Sequence, residues 1–266
     1  MKRLRFLLTA FFTALLTVTA VTACNPGGGG GTADGGRTLT MATSADYPPY
    51  EYVDSSSGSQ EIVGFDVDIA KYITGQIGAT LKIDNIDFNG LIPALQSKRA
   101  DFVMAGMTPT AERKQNVDFS NIYFEAKNTI VAKAGSDLTT TASLNGKAVG
   151  VQLGSIQEQA AKDIQGAQVK PLNRISEMIQ ELKAGRVAAL IVEDTVAKGY
   201  VDSNPDLEFN VIPSEGESGS AIAFPKGSEL VAEFNPILEE MKTSGKMDEL
   251  ITKWFGESSP APKSES

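Results

Sequence analysis

Arg113 closes the segment Ala105-Gly106-Met107-Thr108-Pro109-Thr110-Ala111-Glu112-Arg113, where an apolar strand runs into a glycine turn and then a helix start with Thr110 as its N-cap. A guanidinium in a first helical turn, beside the backbone N–H groups of Gly106, Met107 and Thr108, suits a carboxylate held at two points. The segment Val149-Gly150-Val151-Gln152-Leu153-Gly154-Ser155-Ile156-Gln157-Glu158 repeats the order strand, glycine turn, helix start, and its N–H groups around Ser155 offer a second place for an anion. The chain has no histidine and one cysteine, Cys24. Ser-His and Cys-His nucleophiles and the usual zinc sets are thereby removed, and no cofactor or metal is expected.

Apolar runs rich in branched residues alternate with helix-period segments, the pattern of an α/β architecture. Strands are expected over Thr38 to Thr43, Thr80 to Ile83, Asp101 to Ala105, Thr129 to Lys133, Ala148 to Gln152, Ala188 to Val192, Glu208 to Ile212 and Ala221 to Phe224. Helical stripes are formed by Ile69, Tyr72, Ile73 and Ile77 after Asp66 as N-cap, by Ile175, Met178, Ile179 and Leu182, and by Val231, Phe234, Leu238 and Met241. These stripes read as core. The body from Arg37 to Gly256 is too long for the usual single core and suits two domains. No internal repeat is evident.

Lys2, Arg3 and Arg5 precede an apolar run from Phe6 to Val21, and Val21-Thr22-Ala23-Cys24 then supplies the small residues and cysteine that a lipoprotein signal peptidase needs. Residues 1–23 are expected to be a signal peptide, with Cys24 the lipidated (palmitate-bearing) N-terminus of the mature chain. Residues 24–36, nearly all glycine and small polar residues, read as a flexible tether, and residues 257–266 as a disordered tail. The protein is expected to be exported and lipid-anchored to the cell membrane, facing the periplasm or the cell exterior. Loss of the signal peptide would move the formal net charge from −9 to −12, which argues against nucleic acid as a partner.

Together with Ser44-Ala45-Asp46-Tyr47-Pro48-Pro49-Tyr50-Glu51-Tyr52, Val63-Gly64-Phe65-Asp66-Val67-Asp68 and Asp118-Phe119-Ser120, these motifs resemble the polar amino-acid binding proteins of ABC importers, the glutamine-, arginine- and lysine-binding type of solute receptor. The resemblance runs from about Arg37 to Gly256. It implies a two-lobed periplasmic-binding-protein fold of type II, each lobe a sheet flanked by helices, joined by a two-strand hinge. Lobe 1 would be discontinuous, residues 37–126 and 219–256, and lobe 2 would span residues 127–218. The crossovers would fall near Tyr123 to Lys127 and Gly216 to Ser220. The partners implied are an L-amino acid and an ABC permease with its ATPase, for a receptor expected to be a monomer.

An amino-acid ligand needs a cation, an anion and a selective wall in its pocket. The resemblance gives the α-carboxylate to Arg113 with Gly106, Met107, Thr108 and Ser155. It gives the ammonium to Asp194, aided by the Thr108 hydroxyl and the Gly106 carbonyl. Tyr47 and Phe88 match two aromatic positions that sandwich the ligand side chain in relatives, and Ser44, Gln152 and Glu193 are the polar candidates at its tip. Relatives often carry threonine where Ile156 stands and aspartate where Ser44 stands; the second departure weakens a basic-ligand reading, which Glu193 could restore. Tyr47, Phe88 and Glu193 suit arginine or lysine, whereas Ser44 and Gln152 suit glutamine. The basic amino acids are the choice and glutamine the alternative.

Two other functions fit parts of the sequence. A cell-wall hydrolase or glycosidase needs two carboxylates, but Asp66 and Asp68 stand two apart at a helix start and face different ways. The sensory domain of a receptor kinase would need a membrane span after Gly256, and the residues there are polar. A non-enzymatic receptor is the expectation.

Overall fold

The computed structural model describes residues 36–56, 58–213 and 219–261; the expected signal peptide, Cys24 and all of the expected tether but Gly36 lie outside the described residues. Two five-stranded sheets carry the fold. In the first, the spatial order is Thr80–Asn85, Thr38–Thr43, Phe102–Val103, Ser220–Pro225 and Val117–Phe124. In the second it is Gln168–Leu172, Ala148–Gln152, Ala189–Glu193, Asn128–Lys133 and Leu207–Val211. In each sheet the first three strands are parallel and the fourth runs against its neighbours. The chain leaves the first sheet after Val117–Phe124 and enters the second at Asn128–Lys133; it returns between Leu207–Val211 and Ser220–Pro225.

Both sheets are covered on both faces, as buried parallel strands require. Along Ala189–Glu193, Leu190 and Val192 face the side occupied by Ile175, Met178, Leu182 and Val196. Ala189 and Ile191 face the opposite side, with Val149, Val151 and Ala161. In the first sheet Met41, Phe102, Ile222 and Phe224 pack on the side of Ile69, Phe234 and Leu238, while Ala42, Val103 and Ala223 pack against Leu91 and Leu95. The helix Leu230–Ser244 ends at Gly245, whose φ of 83° is open to glycine without steric cost, and Lys246–Phe255 follows at once.

Several expectations need correction. Asp66 is not an N-cap: the helix Phe65–Gln76 follows Gly64, where a Cβ would stand 2.1 Å from the Tyr50 carbonyl oxygen. Asp66 is buried in the first turn instead. Of Asp101 to Ala105 only Phe102–Val103 forms regular strand, with Asp101 and Met104 each donating one backbone hydrogen bond to Thr38–Thr43. Val117–Phe124 and Gln168–Leu172 are strands that the patterning did not reveal, each at a sheet edge where polar residues or Pro171 are tolerated. Asp46–Tyr47, Glu51–Asp54 and Glu61–Val63 add a small antiparallel sheet. Residues 257–261 lie against the body: Tyr52 donates to the Pro260 carbonyl at 3.2 Å and Ser259 Oγ to the Trp254 carbonyl at 2.6 Å.

Candidate ligand-binding site

The strand Phe102–Val103 exits through Gly106, whose φ of 55° turns the chain toward the short helix Ala111–Asn116. Thr110 caps that helix, its Oγ1 accepting from the Arg113 N–H at 3.2 Å. Arg113 is thereby fixed on the first turn and is 9% exposed. Its Nη1 donates to the Thr108 carbonyl at 2.9 Å and its Nη2 to the Gly154 carbonyl at 3.0 Å. The guanidinium carbon sits 5.4 Å from the centre of the Phe88 ring. No carboxylate pairs with Arg113 among the described residues, and burial lowers its pKa to about 10, with Glu112 opposing.

Arg113 lines a cavity with Tyr47, Phe88, Gly106 and Thr108 of the first lobe and Gln152, Ser155, Ile156 and Gln157 of the second. Ser155 caps the helix Ile156–Lys162, accepting from the Glu158 N–H at 3.1 Å, so two helix starts from different sheets face one space. Tyr47 is stacked on Tyr50 with ring centres 5.6 Å apart. A second hollow of about 300 Å³ lies beside Pro48, Pro49 and Trp254; its Lys198 and Asp202 are paired with each other at 2.5 Å. The Arg113 cavity is thus marked, among the described residues, by a buried cation without a carboxylate partner, whereas the one cation of the larger hollow, Lys198, is ion-paired.

Four expected site residues do not line this cavity. Ser44 is buried, and its hydroxyl donates to Asp46 Oδ1 at 3.1 Å. Met107 packs in the core, and its carbonyl accepts from the Ala221 N–H at 2.9 Å. The Glu193 carboxylate accepts from the Tyr50 hydroxyl and from Thr195 Oγ1, the latter at 2.9 Å. Desolvation first, and then the nearby charges of Asp194 and Asp66, push Glu193 up to about 8. Asp194 Oδ1 accepts from the backbone N–H groups of Lys127 at 3.2 Å and Thr195 at 3.0 Å, at the edge of the first crossover.

The sequence patterning assigns no site role to Gln157, Asp46 or Glu51, and to Asp66 only an N-cap or a rejected catalytic pair with Asp68. Gln157 Nε2 donates to Asn128 Oδ1 at 2.9 Å, and its place in the first turn after Ser155 was the available signal. Asp66 Oδ2 accepts from the Gly106 N–H at 3.0 Å, and both Asp66 oxygens accept from the Tyr123 hydroxyl, at 2.8 and 2.9 Å. Burial pushes Asp66 up to about 7, and burial together with the charge of Asp66 pushes Glu51 well above the carboxylate range.

Two sheets of this topology, with a cation, aromatic faces and two helix starts converging between them, define a two-lobed binding protein. The chain belongs to the bacterial extracellular solute-binding proteins, family 3, whose model matches residues 39–257. It is 47% identical over 241 residues to the arginine-binding extracellular protein ArtP of Bacillus subtilis (strain 168), covering 89% of this chain and 92% of that protein. The crystal structure of a substrate-binding protein of an amino acid ABC transporter is 44% identical with a TM-score of 0.80, over 82% of this chain and 99% of the other. An ancestral arginine-binding protein has been solved bound to arginine, at 44% identity and TM-score 0.77, over 82% of this chain and 98% of the other. An ancestral arginine-binding protein bound to glutamine is 43% identical with TM-score 0.76, over 83% of this chain and 98% of the other. The protein is thus an exported solute-binding component of amino-acid ABC transport.

Proposed function

We propose that this protein captures a basic L-amino acid, arginine in first place and lysine with it, by closing two lobes around it and presenting the closed form to an ABC permease. The observation that carries the reading is Arg113: a buried cation held by two carbonyls and no carboxylate, facing a cavity that both lobes line. The α-carboxylate takes the guanidinium and the N–H groups of the two helix starts. Thr108 and the Gly106 carbonyl receive the ammonium, with Asp194 as its anion, since a carboxylate has lone pairs beyond the two its Oδ1 uses here. The ligand side chain lies between Tyr47 and Phe88. Two aromatic faces suit a guanidinium or ammonium stacked between them.

A specific observation supports glutamine as the second reading: the polar side chains of the second lobe at the cavity wall are the amides Gln152 and Gln157 and the hydroxyl Ser155, without an acid. That ancestral arginine-binding proteins have been solved with arginine and with glutamine supports keeping both ligands in view. No reaction is assigned to the protein. Lobe 1 is taken as residues 37–126 and 219–256 and lobe 2 as 127–218, and the receptor works as a lipid-anchored monomer held through Cys24. A thermal-shift panel of the twenty amino acids decides the class, because a ligand at about 100 times its dissociation constant adds about 2.7 kcal/mol. Arginine or lysine giving the largest shift is expected; a larger shift with glutamine overturns the choice, and no shift with any amino acid overturns the function.

A further inference from the structure

The helix Ile175–Lys183 lacks a cap of its own. Arg174 occupies its N-cap position and makes no capping side-chain hydrogen bond, although this is a place where Ser, Thr, Asp or Asn are preferred. The cap comes from the other lobe: Asp46 Oδ2 accepts from the Ile175 N–H at 2.8 Å. Asp46 is held for that task. Its backbone pairs with Tyr52 in the small sheet, its N–H donates to the Ser44 carbonyl at 2.8 Å, and its Oδ1 accepts from the Ser44 hydroxyl at 3.1 Å. A neighbouring link, Arg174 to Asp87 at 3.3 Å, joins two exposed side chains and contributes little.

We propose that Asp46 is an affinity-setting residue, a helix cap supplied across the cleft that exists only while the lobes are closed. The proposal rests on the reading that the lobes close around a ligand. Opening would strip the first turn of Ile175–Lys183 of its anion and leave its N–H groups to water. Because Asp46 does not line the ligand cavity, its contribution belongs to closure and is the same for every ligand. It therefore acts on the dissociation rate and leaves selectivity alone. Ser44, expected at the ligand's tip, acts instead by orienting this carboxylate.

The test uses the purified full chain with L-arginine and L-glutamine as probes, by calorimetry and stopped-flow dissociation, together with small-angle X-ray scattering without ligand. Asp46→Ala is expected to weaken both amino acids by one common factor of about fivefold or more, through faster dissociation, from the usual cost of losing a cap. Its ligand-free radius of gyration should exceed that of the wild type. Asp46→Asn, whose amide oxygen can still accept from Ile175, should return affinity to within about twofold of the wild type. Selective loss of one ligand would make Asp46 a ligand contact and overturn the proposal, as would affinities and scattering that Asp46→Ala leaves unchanged. Should the wild type bind neither probe, the ligand assignment fails on its own, and identical scattering curves for wild type and Asp46→Ala would still sink the latch.

Discussion

Arg113 and Gly154 touch across the cleft: a guanidinium nitrogen on the first helical turn of one lobe donates to the carbonyl of the glycine turn that opens a helix in the other, at 3.0 Å. The residue that would clamp a ligand's carboxylate is thus also a bridge between lobes. A carbonyl is a weaker partner for a buried guanidinium than a carboxylate, so an arriving anion has an unsaturated cation to meet.

Truncating Arg113 therefore removes the one cation lining the cavity among the described residues. Arg113→Ala should cost about 2 to 5 kcal/mol of binding, roughly 30-fold to several thousand-fold, for arginine, lysine and glutamine alike. Arg113→Lys should recover only part of this, because an ammonium cannot reproduce the planar two-point geometry. Calorimetry on the three ligands reads it, and a variant within threefold of wild type would misplace the pocket.

Glu193 yields a prediction about pH. Buried beside Tyr50, it is pushed up to about 8 and so holds its proton at neutral pH. A cationic ligand nearby favours the ionised form and lowers that pKa, so arginine should bind more tightly as pH rises from about 6 to about 8. Glutamine should show a flatter profile. Asp66, near 7, and Glu51 titrate in the same cluster, so the deciding variant is Glu193→Gln, which should flatten the arginine profile and weaken arginine more than glutamine. Identical profiles for both ligands would remove Glu193 from side-chain selection.

Asp66 bears on stability. Its folded-state pKa, about 7, lies above the ordinary value of about 3.9, so the proton is held more tightly in the fold than in the unfolded chain. Stability from this group is complete below about pH 4 and is lost as pH rises through about 7. Asp66→Asn keeps an oxygen for Gly106 and Tyr123 and cannot ionise. Melting curves from pH 4 to 8 should show a shallower decline for the variant, and a decline as steep as that of the wild type would exclude Asp66 as its source.

The proposed lipid anchor is tested at Cys24. If Cys24 carries it, Cys24→Ser should release the protein in soluble form with its affinity unchanged, because the glycine-rich residues 25–36 stand between Cys24 and the first strand in sequence. Fractionation and calorimetry check this together. A variant that stays in the membrane with its hydrophobic N-terminus intact would favour a signal anchor over lipidation.

Arg113 was legible in the sequence because its signals are local: strand end, glycine turn, Thr110 cap and arginine fall within nine residues. Ser155 was legible for the same reason. The sheet strands with branched, buried residues, such as Ala189–Glu193, announce themselves by composition, whereas Val117–Phe124 hides its pairing behind Asp118, Ser120 and Asn121 at an edge. Asp46 could not be found that way. Its partner is 129 residues distant, and only the folded chain brings a carboxylate to a helix whose own N-cap is an arginine. Glu193 and Asp194 are adjacent at a strand exit, yet one turns to Tyr50 and the other to the Lys127 backbone, a choice set by packing rather than by pattern.

The most direct measurement compares L-arginine with agmatine, which keeps the guanidinium and aliphatic chain and lacks the α-carboxylate. If Arg113 and the two helix starts hold that carboxylate, agmatine should bind the wild-type protein at least about 100-fold more weakly than arginine, and Arg113→Ala should erase most of the difference. Agmatine binding within threefold of arginine would contradict the account, because the pocket would then read the side chain alone and Arg113 would have no carboxylate to hold.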